Sequence, residues 1–152
     1  MSKIGVFPGS FDPFTKGHEA VIRKSLSVFD KIIIAVGVNS SKKYMFTLEK
    51  RMLHINDLFK NEDRVEVQSF QTLTVEFCKE VGASHIVRGL RDSKDFQYEK
   101  SIAHMNFDIA GIDTVFLLTE QQYSAINSSI IREIHKNNGP IEPFVTNPHL
   151  LV

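Results

Sequence analysis

Short runs of β-branched and apolar residues alternate along the chain with longer segments in which apolar positions recur every three or four residues. The first kind predicts strands over 3–8, 31–38, 64–70, 85–88 and 114–118, and the second predicts helices over 17–29, 48–59, 73–81, 95–110 and 128–136. Thr47 and Thr72 stand where N-caps belong, while Gly82, Gly111 and Gly139 stand where helices should stop. Ile32-Ile33-Ile34-Ala35-Val36 and Val115-Phe116-Leu117-Leu118 are apolar without alternation, which predicts strands covered on both faces. The sheet is then parallel, with helices on each side.

The fold class expected is α/β: a doubly wound, Rossmann-like domain with a five-stranded parallel sheet. A chain of 152 residues with 42% hydrophobic content suffices for one well-buried domain, taken as residues 1–152, in which 139–152, with Pro140, Pro143 and Pro148, reads as a C-terminal extension. In such a sheet ligands bind beyond the carboxyl ends of the strands, near the point where strand order reverses. The segments 9–10, 39–43, 71–74, 89–91 and 119–129 are therefore the ones to search.

Charge narrows the partners. Lys plus Arg and Asp plus Glu both number 18, so the chain lacks the long-range positive field of a general nucleic-acid binder, and an anion site must be a local cluster. The longest apolar run, 32–38, is far too short to cross a bilayer, and residues 1–8 carry no basic region followed by a cleavable apolar core. A cytoplasmic protein acting on a small molecule is expected. Cys78, the single cysteine, has the apolar neighbours Val75, Phe77 and Val81 and reads as a core residue.

The segment Phe7-Pro8-Gly9-Ser10-Phe11-Asp12-Pro13-Phe14-Thr15-Lys16-Gly17-His18 joins the first strand to the first helix. A helix start offers free N–H groups and the positive end of a macrodipole, so Gly17 and His18 sit where a phosphate would bind. Neither a Walker A loop nor a dinucleotide fingerprint is present. Lys42 and Lys43 follow the second strand, and Arg88 and Arg91 bracket the end of the fourth. Arg88 would lie almost within the sheet edge, where a fixed charge requires an anion or a carboxylate partner. Ser128 and Ser129 open the last helix and either cap it or bind phosphate. Asp95 and Glu99 share a helix face, read either as a solvated acidic face or as a ribose or amine contact. His104, His135 and His149 show no metal-ligand spacing and read as structural.

Thr15-x-Gly17-His18 after Pro8-Gly9-Ser10-Phe11-Asp12-Pro13, Arg88-Gly89-Leu90-Arg91, and Ile126-x-Ser128-Ser129-x-x-Arg132 together resemble the nucleotidyltransferase superfamily with the [HT]-x-G-H signature. Lys42-Lys43 before Met45-Phe46-Thr47, Asp95-Phe96-x-Tyr98-Glu99 and Ala103-His104-Met105-Asn106 bring the resemblance to the phosphopantetheine adenylyltransferase family, over residues 3–137. The resemblance implies transfer of AMP from ATP to 4′-phosphopantetheine, giving dephospho-coenzyme A and pyrophosphate, by in-line attack without a covalent intermediate. It implies His18 and Lys42 as catalytic residues. It assigns Ser10, Phe11, His18, Gly89, Leu90, Arg91, Glu99, Tyr123, Ser124, Ala125, Ile126, Asn127, Ser128 and Ser129 to ATP, and Ser10, Lys42, Thr74 and Arg88 to phosphopantetheine. Mg²⁺ is expected on the phosphates and not in a carboxylate cage, dephospho-coenzyme A or coenzyme A as product-like ligands, and a homohexamer as the assembly. Asn127, Ser10 and Thr74 depart from the usual residues of the family, yet each can still hydrogen-bond or pack. The sister reactions are transfer to nicotinamide mononucleotide or glycerol 3-phosphate, and a non-catalytic nucleotide-binding module is the alternative of another class.

Overall fold

The computed structural model describes residues 2–152. Strands β1 (Ile4–Gly9), β2 (Lys31–Gly37), β3 (Val65–Phe70), β4 (His85–Leu90) and β5 (Asp113–Leu118) alternate with helices α1 (Lys16–Ser25), α2 (Leu48–Leu58), α3 (Thr74–Val81) and α4 (Ser93–Ala110), and α5 (Ser128–Lys136) follows the last strand. All pairings are parallel, in the order β3-β2-β1-β4-β5. This is the doubly wound sheet that the sequence pattern predicts. Chain order reverses between β1 and β4, so the crevice beyond Gly9 and Leu90 is the switch point.

The two sheet faces bury different residues, as strand alternation requires. Phe7, Ile32, Ile34 and Val36 meet Val21 and Ile22 of α1 and Ile55 of α2 on one face. Val6, Ile33, Ala35 and Ile86 meet Val75, Phe77 and Cys78 of α3 on the other. Burial on both faces explains the unbroken apolar run of β2. Each fully buried isoleucine contributes about 1.5–3 kcal/mol of transfer free energy. Cys78 is wholly buried, and that burial pushes its thiol up to about 11, as befits a core residue.

Several boundaries differ from those predicted. α1 ends at Ser25 rather than at 29, because the Ser25 hydroxyl donates to the carbonyl of Ile22 and the chain turns so that Phe29 enters the core. Thr72 does not cap α3: Leu73 holds the N-cap position without a side-chain bond, and the Thr72 hydroxyl donates to the Leu73 carbonyl. β4 runs on through Gly89 and Leu90, which pair with Leu117 and Leu118. β5 is half-buried rather than covered on both faces, since it is an edge strand, and Leu118 is 70% exposed. Gly82 and Gly111 stop their helices in the left-handed conformation, as expected, whereas α5 is closed by Asn137 and by Asn138 at φ 63°.

Residues 139–151 pack into the body of the molecule. Ile141, Val145 and Leu151 form a third apolar cluster with Phe46 and Ile131. Two polar contacts bind this segment further: Lys16 N–H donates to the Phe144 carbonyl, and Nε2 of buried His54 donates to the Thr146 carbonyl at 2.7 Å.

Candidate active site

Two cavities open at the switch point. The first, of about 710 Å³, lies beyond β1, β2 and β3 against α3 and α4, lined by Ser10, Lys42, Tyr44, Thr74 and Arg88 among others. The second, of about 530 Å³, lies between the Phe7–Asp12 segment, α1 and the start of α5. Pro8, Gly9, Ser10, Arg88, Tyr98 and Glu99 line both. All four residues assigned to phosphopantetheine from sequence therefore line the first cavity. The second collects Ser10, Phe11, His18, Gly89, Arg91, Glu99, Tyr123, Ile126, Asn127, Ser128 and Ser129, while Leu90, Ser124 and Ala125 flank it without lining it.

His18 is the third residue of α1 and part of a reciprocal cap. Its own N–H donates to Oγ1 of Thr15, and the Thr15 N–H donates to His18 Nδ1 at 3.0 Å. Since Nδ1 accepts, the ring proton is assigned to Nε2. The rings of Phe7, Phe11 and Phe14 surround the imidazole at centroid distances of 6.1, 5.1 and 5.2 Å. Desolvation among them, reinforced by the positive charges of Arg88 and Arg91, lowers the His18 pKa to about 3, so the ring is neutral at physiological pH. A neutral donor at a helix start suits an incoming phosphate.

Close backbone approach shapes the floor beneath His18. A Cβ at Gly89 would stand 2.8 Å from Val21 Cγ2, so only glycine lets β4 reach the second cavity under α1. A Cβ at Gly17 would meet only ordinary contacts, the nearest being Thr15 Oγ1 at 3.5 Å.

Arg88 and Arg91 are each paired with a carboxylate of α4. Arg88 donates from Nε and Nη2 to Oε1 of Glu99 at 2.8 and 2.6 Å, and from Nη1 to the Pro8 carbonyl at 2.7 Å. Arg91 grips Asp95 with two nitrogens and donates from Nη1 to the Ile126 carbonyl at 3.2 Å, tying the fourth strand's exit to the approach of α5. The Arg91 guanidinium holds the Asp95 carboxyl below its ordinary range, and the same bond raises Arg91. Asp95 and Glu99 are thus arginine partners, neither a solvated face nor free carboxylates. Lys42 Nζ donates to Ser10 Oγ at 3.0 Å, on the wall shared by both cavities.

At the start of α5 the cap is Asn127. Its Oδ1 accepts from the amides of Ser129 and Ile130, a capping role open to asparagine and serine alike. The Ser128 hydroxyl donates to the Pro13 carbonyl, and Arg132 donates from Nη1 to the Asp12 carbonyl and from Nη2 to Ser129 Oγ. Arg132 and Lys94 line the second cavity, although sequence reading gave neither a role. Asp12 is buried, with Oδ2 and Oδ1 accepting from the amides of Met45 and Phe46.

Every carboxylate lining the two cavities is therefore already engaged, Asp12 by backbone amides and Asp95 and Glu99 by arginines. That donor set does not fit a protein-held Mg²⁺. Among the described residues no three His, Cys, Asp or Glu side chains cluster as metal ligands, and no helix is long and apolar enough to cross a membrane.

The cytidylyltransferase-like family model matches residues 6–134. The phosphopantetheine adenylyltransferase of Flavobacterium psychrophilum is 52% identical over 140 residues, covering 92% of this chain and 93% of that protein. That of Cytophaga hutchinsonii is 48% identical over 146 residues, covering 95% and 97%. Among solved structures, a putative nicotinate-nucleotide adenylyltransferase from Vibrio parahaemolyticus superposes with a TM-score of 0.67 at 20% identity, covering 99% of this chain and 92% of that one. A bifunctional NMN adenylyltransferase/ADP ribose pyrophosphatase from Francisella tularensis superposes with a TM-score of 0.70 at 21% identity, covering 97% of this chain, which spans only 46% of that larger one. At such identities the structural likeness establishes the fold, whereas the sequence likeness extends over nearly the whole chain. On the family model and these relatives together, the chain belongs to the phosphopantetheine adenylyltransferase family of cytidylyltransferase-like proteins.

Proposed function

We propose that this protein transfers AMP from ATP to 4′-phosphopantetheine, forming dephospho-coenzyme A and pyrophosphate. The observation that carries this reading is the shared wall: two cavities meet at Ser10 and Arg88, with His18 lining one and Lys42 the other. Two anionic substrates seated on either side bring an acceptor phosphate against a donor α-phosphate, and that proximity supplies much of the catalysis.

A terminal phosphate oxygen of 4′-phosphopantetheine attacks the α-phosphorus of ATP. The new bond is that oxygen to the α-phosphorus; the bond broken joins the α-phosphorus to the bridging oxygen, and pyrophosphate leaves with its electrons. No enzyme group forms a covalent bond. Neutral His18 donates its Nε2 proton as a hydrogen bond to the α-phosphate oxygen on which charge builds, and Lys42 neutralises the approaching phosphate from the other cavity. Losing such a donor costs on the order of 10²–10³ in kcat.

Ser10, Lys42, Thr74 and Arg88 hold the acceptor. Ser10, Phe11, His18, Gly89, Leu90, Arg91, Glu99 and the segment 123–129 hold ATP, Glu99 by fixing Arg88, which lines the ATP cavity as well as the acceptor cavity, and Leu90, Ser124 and Ala125 through the backbone that flanks the cavity. Mg²⁺ enters as part of its nucleotide substrate, with phosphate and water ligands.

Measurement of pyrophosphate release from ATP with 4′-phosphopantetheine, nicotinamide mononucleotide and glycerol 3-phosphate offered separately tests the assignment. Turnover with the first alone is expected; turnover with either of the others and silence with the first overturns it.

A homohexamer is the proposed assembly. An exposed apolar stripe of α4 supports self-association, since Tyr98, at the rim of the cavities, and Met105 and Ile109 are each at least 60% exposed. Light scattering on the purified protein tests it, with six copies expected and a monomer contradicting it.

A further inference from the structure

Lys42 lies on an exposed loop, and a lysine side chain left free loses about 2 kcal/mol of rotamer entropy when fixed. Something must hold it if its charge is to be in place before substrate arrives. Two contacts are present: Ser10 Oγ at 3.0 Å from Nζ, and the ring of Tyr44, whose centroid is 5.4 Å away.

Tyr44 is itself anchored at both ends. Its hydroxyl accepts from the Asn39 N–H at 3.0 Å, closing the loop across the residues between. Its ring lies 4.0 Å from the guanidinium carbon of Arg51. Arg51 is 1% exposed, an unusual state for a fixed charge, and its donors are directed at backbone: Nε to the Phe46 carbonyl at 3.1 Å, Nη1 to the Ser10 carbonyl at 2.7 Å and to the Gly37 carbonyl at 3.3 Å. One buried residue thus ties together the ends of β1 and β2 and the far end of the lysine loop, and the tyrosine stands on it.

We infer that Tyr44 is a positioning residue for Lys42: its ring, fixed by Arg51 and Asn39, holds the ammonium at the wall between the two cavities. The inference rests on the catalytic role given to Lys42 above. Tyr44 also lines the first cavity, so direct contact with the acceptor is the competing explanation of any effect on turnover.

Two measurements separate these possibilities. In the free protein, limited acetylation mapped by mass spectrometry compares Lys42 with its exposed neighbour Lys43; an ammonium held by hydroxyl and ring reacts about fivefold more slowly. Tyr44→Ala should bring the two rates within about twofold, and Tyr44→Phe should keep them apart. An unchanged ratio in Tyr44→Ala overturns the inference. In turnover, Tyr44→Ala should lower kcat about tenfold with KM for ATP unchanged, and should have less than a twofold effect when Lys42 is already alanine. Equal factors in both backgrounds overturn it in favour of direct contact. The acetylation result does not depend on any acceptor being turned over, so failure of the functional assignment leaves this test decisive.

Discussion

The N–H of Thr15 donates to Nδ1 of His18, so the residue that caps α1 also fixes which imidazole nitrogen carries the proton. Local helix chemistry and proposed phosphoryl chemistry meet in one side chain. Glutamine at the third helical position can complete the same reciprocal cap but cannot carry an Nε2–H to the same place. His18→Gln should therefore keep stability within about 1 kcal/mol of the parent while kcat falls on the order of 10²–10³. Denaturant melts and steady-state rates on one preparation check both halves.

The His18 pKa is depressed from 6.5 to about 3, chiefly by desolvation and then by Arg88 and Arg91. Below the unfolded value the unfolded chain takes up a proton that the native ring refuses, so stability is fully present above about pH 6.5 and declines as pH falls towards 3. Buried His54 is lowered by the same cause and acts with the same sign. In the free protein the His18 Cε1–H resonance should not move between pH 8 and pH 5; a midpoint near 6.5 would contradict the neutral-donor role.

Arg88 reaches Glu99 and the Pro8 carbonyl from a position lining both cavities. Glu99→Ala leaves the guanidinium with one protein acceptor, so it should raise KM for both substrates by about tenfold, with Glu99→Gln in between. Loss of a charge-assisted bond at a partly exposed arginine should cost no more than about 2 kcal/mol of stability. A change in KM for ATP alone would show that Arg88 serves one cavity only.

The periodic core of the fold was legible because buried strands and amphipathic helices must show it: β2 and α2 fall within a residue of their expected limits. What was not legible depended on distant partners. Gly89 and Leu90 resemble a loop until Leu117 and Leu118 supply a ladder. Arg51 reads as an ordinary charge on α2, and only the convergence of three carbonyls reveals why it is buried. Three prolines made residues 139–152 look like an extension, yet Ile141, Val145 and Leu151 among them close an apolar cluster on Phe46. The residues that the resemblance singled out cluster at the strand ends and helix starts around the two cavities, whereas Tyr44 and Lys94 lacked any local signal of their own and Arg132 stood out only as the last residue of a motif.

Leu151 is 2% exposed and packs with Ile131 and Phe46, which follows the loop bearing Lys42. Leu151→Ala should cost about 2–5 kcal/mol through lost transfer energy and an unfilled cavity. At a temperature where the variant remains folded, kcat should change less than about twofold, because Leu151, Ile131 and Phe46 themselves line neither cavity. Thermal melts and rates at two temperatures separate these effects.

Direct in-line transfer between the two cavities is tested most directly by stereochemistry at the reacting atom. With ATP made chiral by a sulfur on the α-phosphorus, a single displacement by 4′-phosphopantetheine predicts product of inverted configuration. Retention, which requires two displacements through a covalent enzyme intermediate, would contradict the account.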